Sequence, residues 1–173
     1  MKNIILAFLL SGLGLQPSFA ADKKASGVIE FPSVPEIPVP EGMGYDHYFQ
    51  KNQPVKLVFG VSDPGFQLKE SLVNAAYTIK YLKPRGIKYQ IQLVLYSKAV
   101  LPANSFNEKY GGYSELMTEL SEQGVEFVIC NNSLVALDQS IDDLYPYMKV
   151  IPAGILQIAK KQMQGYSYIH NTK

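Results

Sequence analysis

The sequence has a single cysteine in 173 residues, so no disulfide can form within the chain. Small secreted domains often depend on several disulfides, and that source of stability is excluded here. The fold must therefore be stabilised by a hydrophobic core. The unpaired thiol of Cys130 is then buried and inert, paired with another molecule, or used chemically.

Other chemical signatures are scarce. Only two histidines, His47 and His170, are present, and they lack metal-ligand spacing, so we expect no metal site. The chain has no Gly-x-Gly-x-x-Gly or phosphate-loop pattern and no Gly-x-Ser-x-Gly elbow, which argues against nucleotide binding and Ser-His-acid hydrolysis. Asp142 and Asp143 are adjacent acids ahead of a helix, a pattern typical of solvated caps. We expect no cofactor.

Long apolar runs are confined to the N-terminus. Lys2 precedes an almost continuous apolar stretch at residues 4–15, and small residues follow at Ser18 and Ala20. This is the three-part pattern of a secretory signal peptide. An uncleaved anchor is the alternative, but the apolar stretch is short for a membrane span. We predict a signal peptide at residues 1–20, cleavage after Ala20, no stable membrane insertion afterwards, and a periplasmic or secreted protein.

Neither sign of charge predominates in the remaining chain. Removal of Lys2 leaves 15 basic and 15 acidic residues. A neutral chain without a basic run lacks the electrostatic attraction on which nucleic-acid binding depends. We therefore expect no nucleic-acid partner.

A proline-rich segment precedes the regular part of the chain. Residues 31–40 contain four prolines, which exclude a helix or a central strand. An aromatic cluster follows and could anchor this segment to the domain; it comprises Tyr45, His47, Tyr48 and Phe49. We predict an N-terminal arm over residues 21–54 and one α/β domain over residues 55–173.

Strand and helix patterns alternate through that domain. We predict strands at residues 55–61, 89–100, 125–130, 149–151 and 166–169. The first predicted helix begins at Asp63-Pro64. Three further helices are predicted at residues 113–123, 134–137 and 153–164, and a loop is predicted at residues 101–112. This alternation favours right-handed crossovers and a mostly parallel sheet of about five strands. It does not give the strand order.

Cys130 occupies the end of a predicted strand. Ligands of parallel α/β proteins gather at this edge of the sheet, and Asn131, Asn132 and Ser133 follow as the opening of a helix. Helix N-terminal amides favour a thiolate, which makes Cys130 a candidate nucleophile or sulfur carrier, with the three polar residues as donors beside it. However, free cysteines are often buried for packing alone, and these polar residues are also ordinary caps. Both interpretations remain open.

Three segments resemble the DsrE/DsrF-like family. They are LSEQGVEFVICNNSL at 120–134, VIPAGI at 150–155 and QGYSYI at 164–169, within a resemblance that covers about residues 55–169. The resemblance implies a three-layer α/β/α sandwich and homo-oligomers, commonly trimers or hexamers. In the sulfur-relay members, the cysteine after this strand carries persulfide sulfur between a donor and an acceptor protein. Cys130 matches that role.

The leading hypothesis is therefore a periplasmic DsrE-like protein that binds or relays sulfur as a persulfide on Cys130. The alternative is a non-enzymatic oligomeric binding or assembly protein with a buried structural cysteine. It is suggested by the apolar strand before Cys130 and by an arm suited to packing on a neighbour. A thiol redox sensor is a third interpretation.

Overall fold

The computed structural model describes residues 34–35 and 38–172. The predicted signal peptide at 1–20 and residues 21–33 and 36–37 of the predicted arm lie outside the described residues. Among the helices of the described part, none has the length and apolar character needed to cross a membrane.

Five strands form one sheet in the order β4-β3-β2-β1-β5. Every neighbouring pair is parallel, as expected for short apolar runs that are covered on both faces. The strands are β1 Val55–Val61, β2 Tyr89–Leu95, β3 Glu126–Cys130, β4 Met148–Ile151 and β5 Ser167–Ile169. The prediction of a mostly parallel sheet of about five strands is confirmed.

The strand order decides which face each helix covers. The chain steps from β1 to β4 in one direction and then crosses the whole sheet to β5. Right-handed crossovers therefore place the helices between β1 and β4 on one face and the last helix on the other. The helices are α1 Asp46–Lys51, α2 Phe66–Leu82, α3 Ser114–Glu122, α4 Asn131–Ala136 and α5 Gly154–Met163. The resulting α/β/α arrangement matches the predicted fold class.

Alternate residues along each strand contribute to two different cores. The larger core lies beneath α2 and α3, and its strand members include Phe59, Leu93 and Phe127. The smaller core lies beneath α5, where Ile158 packs on Val58, Val94 and Val128. Side chains two positions apart in a strand share a face. Cys130 follows Val128 by two residues, so its side chain lies on the α5 face.

A buried polar network fixes α5 on that face. Gln92 is only 2% exposed. Its Oε1 accepts a hydrogen bond from Gln157 Nε2 at 2.7 Å, and its Nε2 donates to Glu126 Oε2, also at 2.7 Å. A buried amide that loses its partners costs about 1–3 kcal/mol. This cost disfavours any other position of α5 along the sheet.

Helix α2 begins two residues later than the Asp63-Pro64 pair predicts. Asp63 Oδ1 accepts a hydrogen bond from the Gly65 amide at 3.0 Å, which closes a local turn instead of capping the helix. The Gln67 side chain, in the first turn of α2, stabilises the segment before the helix, because its Oε1 accepts hydrogen bonds from the amides of Ser62 and Asp63.

The second strand ends at Leu95, so its predicted continuation to Val100 is wrong. Ser97 adopts a left-handed backbone conformation with φ of 51°, and Ser97–Ala103 forms a 3₁₀ helix. Val100 is nevertheless fully buried in the larger core. Its apolar character therefore reflects burial of this turn. Another 3₁₀ helix, Glu108–Tyr113, covers the end of the predicted loop at 101–112 and the first residue of the predicted helix at 113–123.

The aromatic cluster before β1 packs against α2. The Tyr45 ring lies 6.0 Å from the ring of Phe49 and 6.4 Å from that of Tyr81. The Tyr81 hydroxyl donates to Asp46, which also forms an ion pair with Arg85 at 2.9 Å. These contacts hold residues 45–49 against α2, as the aromatic cluster in the sequence suggests. Helix α1 in this segment was not predicted from the sequence.

Candidate functional site

Cys130 lies where the crossovers change from one face of the sheet to the other. Strands β3 and β4 are neighbours, but the helices that follow them cover opposite faces. Leu134 of α4 belongs to the larger core, whereas Ile158 of α5 belongs to the smaller one. Open parallel sheets bind ligands in the crevice at such a switch point, outside the carboxyl ends of the strands. As the last residue of β3, Cys130 lies at this switch point.

The start of α4 is earlier than predicted. The helix begins at Asn131, with Cys130 itself as the N-cap residue, whereas the sequence pattern predicts a helix over residues 134–137. Strand β3 therefore passes directly into α4. This places the first turn of the helix, including Ser133, beside the cysteine side chain.

Four donor groups from two helices act on the pKa of the Cys130 thiol. The Ser133 hydroxyl and the amides of Ser133 and Asn132 come from α4, and the Gly154 amide comes from the first residue of α5. Burial alone would raise the pKa of the Cys130 thiol, but these hydrogen bonds outweigh burial and hold that pKa below its ordinary value. They do so because hydrogen bonds to the charged form of a group stabilise that form.

This environment differs from that of a cysteine buried for packing. Cys130 is only 5% exposed, and burial in apolar surroundings raises a thiol pKa. The pKa of Cys130 is lowered instead. The site therefore combines restricted access to the sulfur with stabilisation of the thiolate, the reactive form of cysteine.

The Ser133 side chain joins the loop after β2 to the site. Ser133 Oγ accepts a hydrogen bond from the Ser97 amide at 2.8 Å. A serine hydroxyl has one proton to donate, and with the Ser97 amide on its oxygen, that proton is available to the Cys130 sulfur. Ser97 adopts its left-handed φ of 51° at this contact. The loop conformation and the orientation of the hydroxyl are thus linked.

Helix α5 approaches the site at a position where no side chain fits. A Cβ atom on Gly154 would lie 2.9 Å from Tyr96 Cβ and 3.5 Å from Cys130 Cβ. Non-bonded carbon atoms pack at about 3.5–4.0 Å, so the first of these contacts would be a clash. Glycine therefore lets the N-terminus of α5 lie directly beside Cys130, and the Gly154 amide lowers the pKa of the thiol.

The three polar residues predicted beside Cys130 contribute unequally. Ser133 uses its side chain and its amide, and Asn132 uses its amide, which almost any residue type would supply. Asn131 begins α4 and is not among the donors to the sulfur within the described part of the chain.

Two further residues of the site, Gly154 and Tyr96, are distant from Cys130 in the sequence. The only sequence signal for Gly154 is its place in the Pro152-Ala153-Gly154 helix opening. That signal predicts a helix start but does not say which strand end the helix faces.

The other candidate residues are placed elsewhere. His47 is exposed on α1, and His170 follows β5. Asp142 and Asp143 lie in a short 3₁₀ turn in which the Asp142 amide donates to the Ser140 side chain. Within residues 34–35 and 38–172, no group of three or more metal-ligating side chains is positioned to hold an ion.

Removal of the Ser133 hydroxyl should raise the Cys130 pKa. In Ser133→Ala the thiolate loses its side-chain donor, so the midpoint of the pH dependence of iodoacetamide alkylation should move upward. Alkylation at neutral pH should become several-fold slower. Ser114→Ala on α3, whose hydroxyl donates to Gly111 O, serves as the control. An unchanged midpoint in Ser133→Ala would contradict the assigned hydrogen bond.

Gly154→Ala should disturb both the fold and the thiol. Relief of the clash with Tyr96 requires the start of α5 to move, which we expect to cost about 1–3 kcal/mol of the free energy of unfolding and to weaken the amide contact with Cys130. Urea unfolding and the alkylation midpoint measure the two effects. Gly111→Ala is the matched control, because a Cβ at Gly111 meets nothing within 4 Å. Equal stability of the two variants would show that the close approach is not required.

Comparison with solved structures finds a similar fold. A protein of unknown function from Methanobacterium thermoautotrophicum, MTH1491, shares 28% sequence identity with this chain at a TM-score of 0.60. The match covers 68% of this chain and 100% of the archaeal chain. A comparison with curated proteins gave no match.

Comparison with protein families supplies the assignment. The model of the DsrE/DsrF-like family matches residues 61–170. That span is more than half of the chain and includes β2 to β5, the whole of α5 and Cys130. The chain therefore belongs to the DsrE/DsrF-like family.

Proposed function

We propose that this protein carries sulfur as a persulfide on Cys130. Its family is associated with sulfur relay at the level of the family as a whole. The observation that carries the proposal is the position of Cys130 at the end of β3, between the first residues of α4 and α5, where donor groups of both helices hold its pKa below the ordinary value. A thiolate at neutral pH is the form that attacks sulfur.

The transfer needs no oxidant or reductant. The Cys130 thiolate attacks the outer sulfur of a donor persulfide, R–S–SH. A new S–S bond forms on Cys130, the S–S bond of the donor breaks, and R–S⁻ leaves with the electron pair. Onward transfer repeats this step, with an acceptor thiolate attacking the outer sulfur and Cys130 leaving as a thiolate. A thiol of lower pKa leaves faster, so the same hydrogen bonds favour both acceptance and release.

Exposed apolar side chains lie on the two helices that begin beside Cys130. Val135 on α4 is 73% exposed, and Ile155 and Leu156 in the first turn of α5 are 69% and 67% exposed. Exposed apolar groups of this kind often mark protein contacts. We propose that a second copy of this chain packs there, in a homo-oligomer such as a trimer or hexamer, and shelters the persulfide.

We also propose that the protein acts after export, in the periplasm. The support is the sequence pattern at residues 1–20, with its positive start, apolar stretch and small residues before Ala21. The sulfur donor and acceptor would then be molecules of that compartment.

A second candidate function is favoured by one observation. Cys130 is 5% exposed, as expected if the protein were a non-enzymatic assembly protein with a structural cysteine. Thiol titration of the native protein separates the two functions. Alkylation before denaturation supports sulfur chemistry, whereas protection until denaturation supports the structural role.

Exposure of the native protein to inorganic polysulfide should add sulfur to Cys130. Mass spectrometry of the intact protein and of its peptides should show the added atom on the wild type. Cys130→Ser should gain none, because no other thiol is present. An unmodified wild-type Cys130 under conditions that modify a small thiol would refute the proposed chemistry.

Native mass spectrometry of the exported protein tests the two remaining proposals together. The subunit mass should correspond to residues 21–173, and the assembly mass should be a multiple of it. Ile155→Lys should shift the assembly towards monomer, because a charge at an apolar contact is costly. Met163→Lys, at the far end of α5 and 89% exposed, should not. A monomeric wild type, or a subunit that retains residues 1–20, would overturn the corresponding proposal.

A further inference from the structure

A second polar cluster, formed by Gln67, Tyr168 and His170, lies at the same edge of the sheet as Cys130. The Tyr168 side chain lies across β1, because a Cβ on Gly60 would be only 2.7 Å from its hydroxyl oxygen. Glycine at that position therefore lets the tyrosine lie flat on the α5 face. The proposed function does not use any of these residues.

The Gln67 amide has a fixed orientation. Its Oε1 accepts three hydrogen bonds, from the Ser62 amide at 2.9 Å, the Ser62 hydroxyl at 3.0 Å and the Asp63 amide at 3.1 Å. Its Nε2 lies 3.3 Å from His170 Nε2. An amide nitrogen only donates, so His170 Nε2 must accept.

This contact fixes the position of the histidine proton. A neutral imidazole that accepts at Nε2 carries its proton on Nδ1. His170 Nδ1 lies 3.2 Å from the Tyr168 hydroxyl, and the two rings are stacked. Nδ1 therefore donates to the Tyr168 oxygen. The proton of the Tyr168 hydroxyl is left available for another acceptor.

Tyr96 connects this cluster to the surroundings of Cys130. Its Cβ lies against Gly154, which also adjoins Cys130, and Tyr96 also acts on the pKa of Tyr168. Burial, and then the neighbouring Tyr96 hydroxyl, raise the pKa of Tyr168. The Tyr168 phenol therefore keeps its proton at neutral pH and remains a donor.

We infer that the Tyr168 hydroxyl is a hydrogen-bond donor for an oxygen of the molecule that delivers sulfur to Cys130. This inference rests on the proposed function. The Tyr168 hydroxyl lies over β1, two strands from Cys130 on β3, which is about 10 Å. The oxygen and the reacting sulfur of the donor must be separated by a similar distance.

That separation selects a class of sulfur donor. Sulfide and polysulfide have no oxygen, and the oxygens of thiosulfate lie too close to its outer sulfur. A peptide-like persulfide meets both requirements, because it carries carboxylate or peptide oxygens remote from its sulfur. Its outer sulfur would pass to Cys130 by the exchange written above, with the peptide thiolate as the leaving group.

The direction of the hydrogen bonds between Gln67, His170 and Tyr168 is tested by ¹⁵N NMR of protein labelled at histidine. Only two histidines contribute signals to the spectrum. The signals that remain in His47→Gln belong to His170. At about pH 8.5, where imidazole is neutral, His170 should be protonated at Nδ1 and unprotonated at Nε2. In Gln67→Met it should revert to the Nε2–H tautomer that prevails in water. A wild-type His170 protonated at Nε2 would overturn the inference.

The donor site is tested by the ratio of two sulfuration rate constants, one for glutathione persulfide and one for inorganic tetrasulfide. Loss of one hydrogen bond in Tyr168→Phe should lower this ratio about three- to tenfold. Tyr166→Phe is the matched control, because its hydroxyl donates to Gln90 instead, and its ratio should equal that of the wild type.

The outcomes of the rate experiment are distinguishable. If wild-type Cys130 reacts with neither reagent, the proposed function fails and this inference fails with it. If it reacts with both and Tyr168→Phe keeps the wild-type ratio, only the donor site is refuted.

Discussion

The candidate site depends on the close approach of α5 to the ends of β2 and β3. That approach is possible because Gly154 has no side chain to collide with Tyr96. The hydrogen bonds of Gln92 to Gln157 and Glu126 hold the helix in one position over the sheet. If α5 were displaced by one residue, all of these groups would separate. The buried network and the absence of a Cβ on Gly154 therefore act together to place the start of α5 beside Cys130.

The reversal of the chain after β4 explains why donors so distant in sequence meet at one atom. Had α5 followed the earlier crossovers onto the larger core, its N-terminus would have faced away from the side chain of Cys130. The return to β5 brings α5 across the smaller core instead. The thiol then has α4 on one side and α5 on the other, and the Ser133 hydroxyl together with amides of both helices overcomes the effect of burial on its pKa.

Local patterns were sufficient for part of this arrangement. The apolar run that ends at Cys130 predicts a strand end, and the polar residues after it predict a helix start. Those signals depend on neighbours along the chain. The 3₁₀ turn after Leu95 was missed because Val100 in that turn is apolar. Its side chain is buried in the larger core, and an apolar residue at this position looks in the sequence like a continuation of the strand. Gly154 and Tyr96 could not be assigned to the site, because their proximity to Cys130 follows from strand order, which periodicity does not encode.

Burial raises the pKa of Cys130, whereas the surrounding donor groups lower it. For the proposed sulfur carrier, a buried thiol of lowered pKa is more suitable than a thiol with only one of these properties. A thiolate of low pKa leaves readily from a persulfide, so a fully exposed one would lose its sulfur to any thiol in solution. A covered thiol of ordinary pKa would keep its sulfur but accept it slowly. In the proposed carrier, the 5% exposure of Cys130 would restrict exchange to molecules that can reach the sulfur, and the stabilised thiolate would keep transfer fast. The exposed apolar residues in the first turn of α5 and the Tyr168 hydroxyl would then supply the selectivity.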